Sequence, residues 1–348
     1  MNVFLWHKES LSVGGVLSWC WRLGELFKND PDITVQNVDL RVLPMNDTPQ
    51  APFDPTRFFD RRIDTPAQFF ALLNDHPDAF HVVNYSFEYL DVLQQSSPDL
   101  LRKLRFIGTC HTDEDYYYMS LLTHRAQWNR ILTVSQRTQD VCQALFPELA
   151  NRVALLPYYN IPLPAQPQPT PAHDPLRLLY LGRLCQHQKR ILDLVELMRL
   201  LGDTPCQLTV IGEGQEKEKL RELMQPFGSR VIFKPSIPIW EVNEEYAQHD
   251  ISLMVSEFEG NSISLMESML MGLAPFVTRV GSGQERLRPG ENGVLVPIGD
   301  MAEMARQIAY YQTHRDSLQA MKADAQNTIR REIESARYKE RFINFLNN

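Results

Sequence analysis

The chain has 348 residues, 43% of them hydrophobic and 22% charged, which is the balance of a soluble globular protein with room for two domains. Its formal net charge is −8: residues 1–165 hold 14 Lys+Arg against 19 Asp+Glu, and the rest hold 21 against 24. Neither half has the basic excess that a nucleic-acid backbone demands, so no nucleic-acid partner is expected.

No apolar run approaches the roughly 20 residues of a membrane span. The opening MNVFLWHKES reads as a buried first strand and lacks the layout of a signal peptide. The expectation is a cytoplasmic protein, with peripheral contact with the inner face of the cell membrane left open. Cys20, Cys110, Cys142, Cys185 and Cys206 are dispersed and odd in number, which argues against a disulfide framework or a zinc site.

Taken in order, Asn2–Trp6 is a short apolar strand, and Gly14-Gly15-Val16 opens a helix to about Phe27. Strand, glycine loop and helix begin a nucleotide-binding α/β unit, in which the glycines permit close approach to a phosphate or sugar. Thr34–Leu40, Ala79–Asn84, Phe106–Thr109 and Arg130–Ser135 read as further strands. Alternation with helical segments implies a parallel sheet with ligand loops at the strand C-termini. His111 follows one such strand end and is a site candidate by position. Ser135 reads as an N-cap that accepts from the Thr138 amide. The aromatic residues Phe58, Phe59, Phe69, Phe70, Tyr85 and Tyr116–Tyr118 could stack on sugars, but most read as core. The cluster Arg57–Arg62 could touch a membrane, a case weakened by the acidic balance of this half.

Residues 158–175 contain six prolines in eighteen residues and read as a semi-rigid linker. Leu176–Leu181 opens a second set of strands, followed by Gln207–Ile211, Val231–Phe233, Ile251–Val255 and Phe276–Thr278. The tail from Met301 is helical and charged. The domains read as 1–160, a linker at 161–175, 176–325, and a C-terminal helix at 326–348 that crosses back to the first domain.

Four motifs stand in this second half: Gly182-Arg183-Leu184 with Lys189 six residues after Arg183, Gly212-Glu213-Gly214, Glu259 and Glu267 eight positions apart, and Asn292-Gly293 before an apolar run. In this order and spacing they resemble the family-4 retaining glycosyltransferases with their Glu-x7-Glu signature. The likeness is strong over 176–300, moderate over 1–30 and 106–140, and absent between about 40 and 100. Arg190 stands where the family has glycine, and Met271 is larger than the usual small residue.

The resemblance implies a GT-B fold, two Rossmann-like doubly wound domains facing an interdomain cleft. It implies transfer of a sugar, with retention, from a nucleotide-diphosphate donor to a glycan or glycolipid acceptor, as in bacterial surface polysaccharide or lipopolysaccharide synthesis. Arg183 and Lys189 would clamp the diphosphate, Glu267 the ribose, and Glu259 with Gly260, Asn261 and Ser262 the sugar. Gly14 and Gly15 would close over the donor, and His111 would help position the sugar and the incoming hydroxyl. No cofactor and no tightly held metal are implied, although Asp113-Glu114-Asp115 warrants a check as a metal triplet. Two other readings share features: a non-catalytic GT-B partner that binds sugar or protein, and a nucleotide-sugar 2-epimerase, which shares the fold but lacks the Arg/Lys pair and the Glu-x7-Glu pattern.

Overall fold

The computed structural model describes residues 1–8, 14–43, 58–93, 96–163 and 173–347. The chain forms two compact units, one of Met1–Ser12, Val16–Asn160 and Arg337–Asn348, the other of Val13–Gly15 and Ile161–Ala336. The second unit thus runs past the 325/326 boundary read from the sequence, and the returning segment begins at Arg337. Half of the proline-rich stretch (residues 164–172), and Arg57 of the basic cluster, lie outside the described residues.

The first unit holds strands β1 (Asn2–Lys8), β2 (Thr34–Leu40), β3 (Arg61–Ile63), β4 (Phe80–Val83), β5 (Arg105–Cys110), β6 (Trp128–Thr133) and β7 (Val153–Leu155). All pair in parallel, in the order β3-β2-β1-β4-β5-β6-β7. Parallel sheets are covered on both faces, which is why β4 is buried at every position. Helix Pro66–Asp75 starts on a capping box between Thr65 and Gln68, and helix Gln136–Leu145 on one between Ser135 and Thr138. The C-terminal helix Tyr338–Asn347 packs in this unit: Trp19 Nε1 donates to Tyr338 Oη at 2.7 Å, and Lys339 pairs with Asp30 at 2.7 Å. Of the aromatic residues, Phe58, Phe69, Tyr117 and Tyr118 are core, while Tyr116 is exposed.

The second unit holds β8 (Leu176–Leu181), β9 (Cys206–Ile211), β10 (Val231–Lys234), β11 (Ile251–Met254), β12 (Ala274–Thr278) and β13 (Val294–Val296), again all parallel, in the order β10-β9-β8-β11-β12-β13. The order reverses between β8 and β11. That is the topological switch point, where the loops leaving two adjacent strand ends diverge and a ligand crevice opens. Helix Arg315–Ala336 packs on helix Ile263–Leu270, and Gln326 Nε2 donates to Leu270 O at 2.9 Å, satisfying a carbonyl that the helix end would leave orphaned. Among the described residues no helix is long and apolar enough to cross a membrane.

Asp250, fully buried before β11, accepts from the backbone N–H of His173 at 3.2 Å and of Arg177 at 3.0 Å, and from Lys322 Nζ at 3.2 Å. Lys322 is itself fully buried, and burial pulls its pKa below the usual lysine value. Removing one partner of such a pair strands the other charge in a low-dielectric interior. Lys322→Met is therefore expected to destabilise the protein by about 3–5 kcal/mol, read as a lowered urea midpoint. A change below about 1 kcal/mol would show that Asp250 does not depend on this lysine.

Three histidines of the first unit, His7, His81 and His111, are buried, and burial pushes their pKa values down to about 4, about 3 and about 3. Their folded values lie below the unfolded value near 6.5, so the unfolded chain takes up these protons first. The stability they carry is complete above about pH 6.5 and is lost as pH falls towards their folded values. His81→Phe, which keeps the ring among Phe4, Trp6 and Phe106, is expected to gain about 2–3 kcal/mol on the wild type between pH 7 and pH 4.5. An equal gap at both pH values, measured by urea unfolding, would mean that His81 titrates normally in the fold.

Candidate active site

The loop after β8 is shaped by a close backbone approach. A Cβ on Gly212 would stand 1.9 Å from Gly182 O, and one on Gly214 would stand 2.3 Å from Leu184 O. Without side chains there, Gly182 N donates to Ile211 O at 3.0 Å and Leu184 N to Glu213 O at 2.8 Å. The Gly-x-Gly turn is thus a structural clamp on the loop that carries Arg183.

Arg183 is exposed, and its Nη2 donates to Gln188 Oε1. A short helix, Gln186–Lys189, brings Lys189 round, and the chain then passes through Arg190 in the left-handed region (φ 47°, ψ 37°). This conformation favours glycine and explains why glycine is the residue expected here.

The loop after β11 supplies the opposing charge. Glu259 is buried, and its Oε1 accepts from Lys189 Nζ at 2.5 Å and from Ser256 Oγ at 2.6 Å. Among the described residues Oε2 has no hydrogen-bond donor. Glu257 N donates to Gln188 O at 2.8 Å, which joins the two loops again.

Gly281 (φ 50°) lets the next loop close on this turn, since a Cβ there would lie 2.6 Å from Glu259 O and 2.7 Å from Gly260 O. Its neighbour Ser282 donates through N to Gly260 O at 2.9 Å and through Oγ to Asn261 Oδ1 at 2.8 Å. Asn261 is buried, and its Nδ2 has no hydrogen-bond partner among the described residues. Ser262 caps helix Ile263–Leu270 by accepting from Leu265 N at 3.3 Å. The turn therefore presents a capped helix N-terminus, an unused amide donor and a half-used carboxylate.

Glu267 sits on that helix, buried, with one oxygen accepting from Tyr246 Oη at 3.1 Å. Met271, at the helix end, packs against the small core of Leu179, Ile211 and Tyr246, so its extra bulk is accommodated. In the loop after β10, Ser236 Oγ is buried with no hydrogen-bond partner among the described residues. Gly14 and Gly15 group with the second unit, and a Cβ on Gly15 would meet Ile263 at 3.8 Å.

His111 lies just beyond β5 in the first unit. Its Nε2 faces Asn84 Oδ1 at 3.0 Å, and its Nδ1 faces Tyr158 Oη. Asn84 Nδ2 donates to Trp6 O at 3.2 Å, so Oδ1 is the acceptor, Nε2 carries the proton and Nδ1 accepts from the tyrosine. Burial, aided by repulsion from His7, keeps this imidazole neutral. In the Asp113-Glu114-Asp115 triplet, Asp113 accepts from Tyr118 Oη at 2.7 Å and pairs with Arg137 at 3.4 Å. No group of three or more His, Cys, Asp or Glu among the described residues is placed to hold a metal ion.

The structure brings Arg183, Lys189, Glu259, Gly260, Asn261 and Ser262 to the loops of β8 and β11. Sequence reasoning passed over Gln188, Ser256 and Tyr246, which hold Arg183, Glu259 and Glu267 respectively. Polar residues one to three positions from a motif were the available signal for the first two; Tyr246 had none.

Residues 175–313 match the family described as Glycosyl transferases group 1. The chain is 30% identical over 122 residues to the N-acetyl-alpha-D-glucosaminyl L-malate synthase of Bacillus anthracis, an alignment covering 34% of this chain and 32% of that protein. It is 32% identical over 144 residues to the lipopolysaccharide core biosynthesis glycosyltransferase LpsE of Rhizobium meliloti, covering 40% of each. The chain thus spans 32% to 40% of the length of these curated relatives. The crystal structure of a point mutant of S. aureus TarM in complex with Fondaparinux, alpha-GlcNAc-glycerol and UDP superposes with a TM-score of 0.78 at 12% identity, covering 100% of both chains, which is a likeness of fold. The chain has the GT-B fold of two Rossmann-like units, and its second unit carries the match to the group 1 glycosyl transferases.

Proposed function

We propose that this protein is a retaining, metal-independent glycosyltransferase. It moves a sugar from a nucleotide-diphosphate donor to a hydroxyl of a glycan or glycolipid acceptor, in bacterial surface polysaccharide or lipopolysaccharide synthesis, in the cytoplasm or on the inner face of the membrane. The observation that carries this reading is the contact of Lys189 with Glu259 at 2.5 Å, made between loops that leave adjacent strand ends at the switch point of the second sheet. One named relative is a lipopolysaccharide core biosynthesis glycosyltransferase, and the TarM structure holds UDP.

Breaking the bond between the sugar C1 and the phosphate oxygen sends the electron pair to the departing diphosphate. Arg183 and Lys189 would meet that charge, which is stabilisation at the place where it develops. Glu259 would accept a sugar hydroxyl on Oε2 while Oε1 stays with Lys189 and Ser256. The capped helix N-terminus and the Asn261 amide would face the donor's anionic or hydroxylated atoms. Glu267, oriented by Tyr246, would take the ribose hydroxyls. The acceptor hydroxyl attacks on the face the diphosphate leaves and passes its proton to the departing phosphate oxygen. His111 is neutral at pH 7 and both its ring nitrogens are engaged, by Asn84 and Tyr158, so it would not serve as an acid.

The test is thermal stabilisation and slow hydrolysis across UDP-, GDP- and ADP-sugars with EDTA present, for wild type, Lys189→Ala and Arg183→Ala. One donor is expected to raise the Tm and release nucleotide despite EDTA, with each variant slowed by about 10²–10³-fold. Product NMR with a retained anomeric configuration completes the case. Absence of binding by every nucleotide sugar would overturn it.

Glu259→Gln separates binding from transfer. It releases Lys189 from its carboxylate, so nucleoside diphosphate is expected to bind at least as tightly as to wild type, while transfer falls about 10²-fold. Weakened diphosphate binding in calorimetry would show that Glu259 is needed to aim Lys189 and does not compete for it.

A further inference from the structure

Arg190 departs from the glycine expected after Lys189, yet the backbone keeps the left-handed conformation that glycine would take, with φ at 47°. A side chain retained at such a position calls for a compensating interaction. Three surround it. Its Nε donates to Asp193 Oδ2 at 2.8 Å, in the first turn of helix Asp193–Leu201, and its Nη1 to Glu257 Oε2 at 2.7 Å. Its Nη2 lies 3.1 Å from where a Cβ on Gly299 would stand, so the guanidinium fills the space above that turn.

Glu257 and Glu259 alternate along one short loop, and Arg190 and Lys189 are consecutive on the loop facing it. The arginine takes the outer carboxylate, 43% exposed at its side chain, and the lysine the inner one, 7% exposed. The backbone bond from Glu257 N to Gln188 O at 2.8 Å lies beside these two pairs.

We propose that Arg190 is a positioning residue for the donor diphosphate: by holding Glu257 it sets the register of the Glu257–Gly260 turn against Lys189. The inference rests on the transferase reading of the same site. The arginine touches no reacting atom. It narrows the arrangements open to Lys189 and Glu259 before the donor arrives, and so acts on donor affinity.

Arg190→Gly is the informative variant, because glycine suits the left-handed backbone and the fold should be as stable as wild type or more so. Its Kd for the nucleoside diphosphate that binds wild type, among UDP, GDP and ADP, is expected to rise about tenfold, with donor KM raised and kcat little changed. Glu257→Gln, at a partly exposed position, should shift Kd the same way, and the double variant should be no worse than the more affected single one. Hydrogen exchange without ligand gives an independent readout: the Glu257 amide should exchange faster in Arg190→Gly.

A Kd and an exchange rate equal to wild type would overturn the proposal. So would a lowered Tm with an unchanged Kd, which would make Arg190 a purely structural brace. If wild type binds none of the three diphosphates, the transferase reading itself fails and this inference falls with it. Binding by wild type that Arg190→Gly leaves intact removes the inference alone.

Discussion

A carboxylate and an ammonium held 2.5 Å apart across two diverging loops set the terms for the rest of the second unit. Glu259 leaves the end of β11 and Lys189 follows the end of β8, strands that pair in parallel through Ile251 and Leu178. Parallel pairing with the crossover reversed on either side leaves this one place where adjacent loops part. An ion pair so little exposed loses much of its solvation, and its Coulomb gain repays that only in good geometry. Ser256 and Gln188 provide that geometry, one donating to the same carboxylate oxygen and the other tying the two backbones.

The glycines around the pair matter for what they let approach. Gly212 and Gly214 allow a neighbouring turn to press on the Arg183 loop, and Gly281 allows another to press on the backbone of Glu259 and Gly260. Each removes a clash of a methyl group against a carbonyl oxygen, and each is answered by a backbone hydrogen bond: Leu184 N to Glu213 O, and Ser282 N to Gly260 O. The loops of the site are therefore braced from both flanks by main chain, which varies less in position than long side chains do.

Much of this was legible in the sequence because a buried parallel strand is a run of apolar residues ending at a turn. Thr34–Leu40 and Leu176–Leu181 have the bounds read from sequence, and the Ser135 cap is present as expected. What escaped notice has a common physical cause. Strands β3, β7 and β13 are three residues each and lie at sheet edges, too short for a period to show. Ser256 is three positions from Glu259, but only the fold of the turn aims its hydroxyl at the carboxylate. Arg190 read as a departure from a pattern, yet it keeps the backbone of the residue it replaces and adds two ion pairs. Conformation was preserved where residue type was not, a distinction that pattern matching cannot draw.

On the proposed transferase reading, the unequal legibility of the two units would follow from what each would recognise. A diphosphate and a ribose are small, charged and hydroxylated, so they impose fixed chemistry: cations, a helix N-terminus and a carboxylate for vicinal hydroxyls. Those residues recur at set distances from strand ends, and the eye can find them. An acceptor glycan offers hydroxyls and apolar ring faces, which many arrangements of aromatic and amide groups can meet. In the first unit the same residue types also build the core. Three consecutive tyrosines open helix Asp115–Thr123 just after its first residue; Tyr117 and Tyr118 turn into the core, while Tyr116 stays at the surface beside the exposed Asp115. Residue type alone then cannot separate a binding face from a packing face, and only exposure, set by where the helix lies on its sheet, tells them apart.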